Sequence, residues 1–321
     1  MAVVSASGAK RYLEMQSDDY VADAATIKAP FYQNHFDLSK QAISHAINGL
    51  GKTALVVGAG SGLDLPLKKL AENFDLVVLL DVDTRHTRKT VEAFPKELQG
   101  KFQIEQADLT GFFEEFVAGT EKIRKENHSF DLFGSRIVDM LLSLKKKESA
   151  YQKMKASFVC SSLVCSQLIG GIVGYLEEIS QGVYKKTFTV PSNRKKEYED
   201  WLAQLQIKHL DELDQLVEPE GRVYFADHFT AKGVVHLKSV IEETEVVLGE
   251  SEFPCVKKIQ GHIKKLFSTV AEDKWGWGVP VSKSIGQVKV ENEDGSSKIV
   301  PVDVLELREY QITSLNLKKK H

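Results

Sequence analysis

Apolar residues from Leu38 onward recur at helical spacing: Leu38, Ala42, Ile43, Ala46, Ile47 and Leu50 share one face, with Asp37 where an N-cap belongs. Gly51 breaks that pattern. A short apolar run over 54–57 follows, β-branched and bounded by glycines, which predicts a buried strand. Leu65, Leu67, Leu70 and Ala71 predict a helix, residues 76–80 a second strand ended by Asp81, and residues 85–94 a helix stopped near Pro95. A weaker third strand covers 102–106, with Asp108 just beyond it. Such alternation predicts a parallel sheet with crossover helices.

Residues 111–150 read as mostly helical, 156–161 as a fourth strand leading into an apolar stretch over 163–172, and 223–226 as a fifth strand ended by Asp227 and His228. The charged stretch 173–218, with Tyr184, Tyr198 and Trp201 embedded, is too long for a simple connection. It predicts a helical insertion, at about 170–220, that shapes a substrate site or a partner surface. Val256, Ile259, Ile263, Leu266, Phe267 and Val270 form an amphipathic stripe. Residues 285–290 and 299–307 alternate around Asn292-Glu293-Asp294-Gly295, a hairpin signal. The expected organisation is a helical segment over 1–50, one domain over 51–310, and a mobile tail over 311–321.

Composition narrows the partners. The net charge is −3, whereas a chain that neutralises many phosphates usually carries a basic surplus, so nucleic acid is disfavoured. The basic runs 145–147, 194–196 and 318–320 read as solvated helix faces or a frayed end. The three cysteines, Cys160, Cys165 and Cys255, show no C-x-x-C spacing and no nearby histidine cluster, so no metal site and no disulfide framework are expected. Cys160 and Cys165 read as buried apolar fillers. The first residues lack a signal-peptide apolar region, and no apolar run is long enough to span a membrane. A reducing cytoplasm is the default expectation; a secreted effector without a cleaved signal would look the same.

The segment richest in chemistry is Val57-Gly58-Ala59-Gly60-Ser61-Gly62-Leu63. Three glycines between a strand and a helix let the backbone turn tightly and let a ligand approach its N–H groups. Dinucleotide-binding loops follow G-x-G-x-x-G, and Leu63 occupies their third glycine position. The G-x-G-x-G spacing instead resembles the first motif of class I S-adenosylmethionine-dependent methyltransferases. Asp81, in Leu79-Leu80-Asp81-Val82-Asp83, resembles that family's acid for the ribose hydroxyls; Asp83 competes for the role. Asp108, in Ala107-Asp108-Leu109, resembles its acid for the adenine amino group. A ligand-free glycine turn, and a helix N-cap at either acid, are the competing structural readings.

The resemblance implies a Rossmann-like, mostly parallel seven-stranded sheet with helices on both faces and an antiparallel terminal hairpin, and S-adenosylmethionine as cofactor. It implies cofactor contacts from Gly58, Ala59, Gly60, Ser61, Gly62, Asp81, Val82, Asp83, Ala107, Asp108, Leu109, Ser161 and Ser162. The fourth strand departs from the family: Ala156-Ser157-Phe158 stand where an acid is often found. The Asn/Asp-Pro-Pro-aromatic motif of amino-methylating nucleic-acid enzymes is missing, as is the Pro-Cys pair of cytosine C5 enzymes.

Asp227 and His228, at the end of the fifth strand, are candidates for a general base. Tyr32, within Phe31-Tyr32-Gln33-Asn34-His35, belongs to a segment able to close over the cofactor as a lid or simply to dock on the sheet. Trp275-Gly276-Trp277-Gly278 suits either stacking on a substrate or packing. The expected activity is methyl transfer to a small molecule or a protein side chain. The alternatives are a nicotinamide-dependent oxidoreductase and a non-catalytic module that binds a partner through residues 170–220.

Overall fold

The computed structural model describes residues 29–47, 51–126, 128–147, 150–238, 243–252, 256–291 and 297–320. Helix α1 (Ala29–Ala46) starts well before Asp37. Asp37 is therefore mid-helix and exposed, and accepts a hydrogen bond from Gln33 one turn earlier at 2.9 Å, rather than capping. Pro30 sits in the first turn, where its missing N–H costs nothing.

Strands β1 (Thr53–Val57), β2 (Leu76–Asp81), β3 (Phe102–Gln106), β4 (Ala156–Ser162) and β5 (Val217–Lys238) pair in parallel in the order β3-β2-β1-β4-β5. Helices α2 (Leu67–Asn73), α3 (Arg85–Glu92) and α4 (Lys96–Gln99) connect the first three strands. Helices α5 (Phe113–Lys125) and α6 (Phe130–Ser143) lead from β3 towards β4. Between β4 and β5 lie α7 (Val164–Tyr184) and α8 (Lys195–Leu216). The expected insertion at 170–220 is thus largely this helix pair. It is no appendage, because Leu202, Leu205, Leu210, Leu213 and Leu216 of α8 are buried in the core.

Strand β6 (Glu243–Glu252), helix α9 (Val256–Leu266) and strands β7 (Phe267–Glu291) and β8 (Ser297–Lys319) complete the chain. The sheet order continues β5-β8-β7, with β8 antiparallel to both neighbours, and β6 pairs antiparallel with β5 as an eighth strand off this path. The expected terminal hairpin is β7–β8, in register from Glu291↔Ser297 inward; its Asp294-Gly295 turn lies outside the described residues.

Three expectations need correction. Residues 311–319 are not a tail: they belong to β8, where Leu315 and Leu317 are buried between β5 and β7, and Lys318 and Lys319 are neutralised by Glu220 and Asp214. Strand β5 does not end at Asp227 and His228. Its last parallel pair is Ser162↔Ala226, and antiparallel pairing with β8 and β6 then carries it to Lys238 by satisfying its backbone groups. Residues 145–147 follow the end of a helix, and while Lys145 and Lys147 are exposed as expected, Lys146 is nearly buried in an ion pair with Glu212 at 2.5 Å.

Strands alternate their side chains between two layers. On one side Leu55, Val57, Val159, Val223 and Phe225 meet α5 to α9; on the other Ala54, Val56, Phe158, Cys160 and Tyr224 meet α1, α2 and Val91 of α3. Helix α1 also lies against β5 and β7. Among the described residues no group of histidine, cysteine and acidic side chains is arranged to hold a metal ion, and no helix is long and apolar enough to cross a membrane.

Candidate functional site

The carboxyl ends of β1, β2, β3 and β4 bring most of the expected site residues together. Gly58, Gly60 and Gly62 all have positive φ, at 72°, 52° and 74°. The amides of Gly58 and Ala59 both donate to Leu80 O at 2.9 Å, which ties the loop to the tip of β2. A Cβ at Gly58 would stand 2.6 Å from Val164 Cγ2, so that glycine permits core packing. A Cβ at Gly60 would meet nothing within 4 Å. This backbone faces open space at the edge where ligands of open α/β sheets bind.

Asp81 closes the strand-end cluster. Its Oδ2 accepts from Gly60 N at 2.7 Å and its Oδ1 from Asp83 N at 2.9 Å. The Val82 amide also donates to this carboxylate, so of its about four acceptor positions one remains, which suits a ligand hydroxyl. Burial pushes the Asp81 carboxyl above its usual range, opposed by these amides and reinforced by the nearby Asp83 charge. Asp83 is 5% exposed, caps the start of α3 through Arg85 N, and holds the Arg85 guanidinium at 2.8 Å. Of the two acids, Asp81 keeps the more accessible acceptor position.

Ala107 N donates to Asp81 O at 2.8 Å, which joins the tip of β3 to the same cluster. Asp108 Oδ1 accepts from Thr110 N and Thr110 Oγ1, and its Oδ2 from Phe113 N at 2.9 Å. Three of its positions thus serve the turn into α5, as an N-terminal cap does, and one is left for a ligand donor. The Leu109 carbonyl accepts from Lys146 Nζ at 2.5 Å, and its Cδ1 lies 3.7 Å from a Cβ built at Gly58. Val82 O accepts from Gln106 Nε2.

Several contributors escaped the sequence reading. Thr87 and Thr90 of α3 donate to the carbonyls of Gly60 and Ser61, fixing the outer turn of the loop. Their i, i+3 spacing on one face of α3 was the available signal. Lys146 came from a run read as solvated, and Asp64, just past the third glycine, was passed over.

Other expected residues lie elsewhere. Ser161 is fully buried, its hydroxyl 2.8 Å from His209 Nε2 on α8. Ser162 points to the opposite layer and donates to Asp64 Oδ2 at 3.4 Å. Tyr32 is buried on α1, 5.9 Å from the Phe36 ring, and belongs to a helix docked in the sheet's layer. Asp227 is 2% exposed just beyond the last parallel pair. The backbone of His228 pairs with Ile312, and its side chain lies outside the described residues. Trp275 to Gly278 are part of β7 and pair with β8, so they form no loop; their side chains also lie outside.

The sequence matches no family model and no curated protein. Among solved structures it is similar to the glycopeptide N-methyltransferase MtfA, with a TM-score of 0.33, 10% identity, and coverage of 84% of this chain and 94% of that one. It is also similar to the YcgJ protein of a Bacillus species, with a TM-score of 0.40, 8% identity, and coverage of 89% and 100%. A putative methyltransferase from Bacillus halodurans gives 0.38, 8%, and coverage of 86% and 97%. Likenesses this loose carry no argument, and the strand order with its carboxyl-edge residues has to stand alone. That order, β3-β2-β1-β4-β5-β8-β7 with β8 reversed and a glycine loop after β1, makes this a Rossmann-like, mostly parallel α/β fold.

Proposed function

We propose that the chain is an S-adenosylmethionine-dependent methyltransferase. The observation that carries the reading is the open Gly60 backbone bonded to Asp81, an acid at the tip of β2 that keeps one acceptor position beside its three backbone amides. These residues fit the cofactor by the chemistry of their donors and acceptors. Asp81 would accept a ribose hydroxyl, Asp108 a single amino hydrogen of the base, and the bare loop 58–62 would admit the methionine end. Val82, Ala107 and Leu109 would line the base. When bound, the cofactor supplies a methyl group already activated on a sulfonium sulfur, so the protein's task is alignment and exclusion of water.

The acceptor is a small molecule or a protein side chain, as the net charge of −3 disfavours nucleic acid. Asp227 and His228 follow the last parallel pair of β5, at the carboxyl edge of the sheet, and are our candidates for a general base. A buried free thiol at Cys160 accords with a reducing cytoplasm. The oxidoreductase alternative fits poorly: the dinucleotide fold runs 3-2-1-4-5-6, whereas here an antiparallel strand follows β5.

Calorimetric titration with S-adenosylmethionine and with NAD tests the cofactor, and tight binding of NAD alone would overturn the assignment. Incubation with methyl-labelled cofactor and fractionated cell extract tests turnover. Cofactor binding with no label in any fraction would favour a non-catalytic module. Asp81→Asn should weaken cofactor affinity at least tenfold, because one acceptor becomes a donor facing a hydroxyl. Unchanged affinity would remove Asp81 from the site.

A further inference from the structure

The structure brings a carboxylate to the carboxyl end of β4 from elsewhere in the chain. Asp64 follows the glycine loop, and Ser162, the last residue of β4, donates to its Oδ2 at 3.4 Å. Ser162 is itself buried.

Asp64 is poorly provided for. Apart from its own amide, Ser162 is its one hydrogen-bond partner among the described residues, and the bond is long. None of the described ion pairs includes Asp64. Lys40 on α1 acts on it electrostatically from beyond ion-pair distance. Burial pushes its carboxyl above the usual range, against the smaller opposing effects of its own amide, Ser162 and Lys40. A desolvated carboxylate with most of its acceptor positions unfilled is stabilised by a cation that brings several donors. An ammonium group does this with three.

We propose that Asp64, oriented by Ser162, is the subsite for the α-ammonium group at the methionine end of the cofactor. The assignment rests on the methyltransferase reading above. It follows from where Asp64 stands: just past the loop that would admit the methionine end, and against Ser162 at the tip of β4. Asp64 then sets which end of the ligand lies over β4.

The test compares two ligands that share the adenosine and thioether but differ in the amino acid end. S-adenosylhomocysteine carries the ammonium group; 5′-methylthioadenosine lacks it. Both are titrated by calorimetry into the full chain, into Asp64→Asn and into Ser162→Ala. Asp64→Asn should weaken S-adenosylhomocysteine at least tenfold and leave 5′-methylthioadenosine within twofold. Ser162→Ala, which leaves the Asp64 charge in place, should weaken S-adenosylhomocysteine a few-fold with the same selectivity. Equal losses for both ligands, or no loss for either, would overturn the subsite while leaving the cofactor assignment intact. If the unaltered chain binds neither ligand, the methyltransferase reading fails and the subsite with it.

Discussion

Ser161 and Ser162 are the same residue type at adjacent positions, yet they serve opposite purposes. Ser161 turns towards α8, where its hydroxyl meets His209 beside the Lys146–Glu212 ion pair, with Gln152 also bonded to Glu212. Ser162 turns to the other layer and reaches the under-satisfied Asp64. The first face is closed polar packing; the second carries the proposed ammonium subsite. Alternation along β4 assigns each serine its face, and what stands opposite decides whether the hydroxyl is structural or functional. The glycine loop repeats the contrast: Gly58 faces Val164 in the core, and Gly60 faces open space.

The largest expected effect tests the closed face. His209→Ala should lose about 3 kcal/mol of stability through a cavity and an orphaned Ser161 hydroxyl. Affinity for S-adenosylhomocysteine, measured on the folded fraction, should change less than twofold. Chemical denaturation and calorimetry report the two quantities; a tenfold loss of affinity would erase the contrast between the serines.

Next comes pH. Burial first, then Lys146, holds the His209 pKa down at about 3, and burial holds His35 at about 4, against an ordinary 6.5. In each case the unfolded chain takes up a proton that the folded chain refuses. Their contribution is therefore fully present above pH 6.5 and is lost as the pH falls towards the folded values. At pH 5 each histidine should cost about 2 kcal/mol, from roughly 1.36 kcal/mol per pH unit. Urea midpoints across pH 5–8 should show the decline, and His209→Gln should flatten it. An unchanged slope would mean that His209 is not sealed in the core.

The loop offers a comparable pair. Gly58→Ala should cost about 2 kcal/mol, from positive φ and the Val164 clash, and Val164→Ala in the same chain should return part of it. Gly60→Ala should cost only about 1 kcal/mol of stability, yet weaken S-adenosylhomocysteine more than Gly58→Ala does once Val164 is relieved. The reverse order of affinities would place the ligand off Gly60. The smallest effect belongs to Asp64→Asn without ligand. A carboxyl whose folded pKa is raised destabilises the fold at neutral pH, so removing its charge should raise the urea midpoint slightly. A lowered midpoint would show that Asp64 already has adequate partners.

Much of this site was legible in the chain. The positions of the first five strands followed from short apolar runs, because a strand buried on both faces must be apolar throughout, and Gly58, Asp81 and Asp108 were legible as residues at or just past strand ends. The bond between Gly60 N and Asp81 came only from the structure. Other features were hidden because they depend on partners distant in sequence. Lys146 sits in a basic run typical of a solvated surface, and only Glu212 and the Leu109 carbonyl make it a buried clasp. Residues 311–319 carry a lysine-rich end typical of a tail, and only β5 and β7 on either side make them a central strand.

The amino-acid sequence by itself determined the layered α/β plan and the glycine loop, since periodicity and missing Cβ atoms act through near neighbours. The tertiary structure alone decided which acid keeps an open acceptor position, which serine meets His209 and which Asp64, and where the final strand inserts. Those outcomes depend on hydrogen bonds and burial between segments far apart in the chain, and no local pattern encodes them.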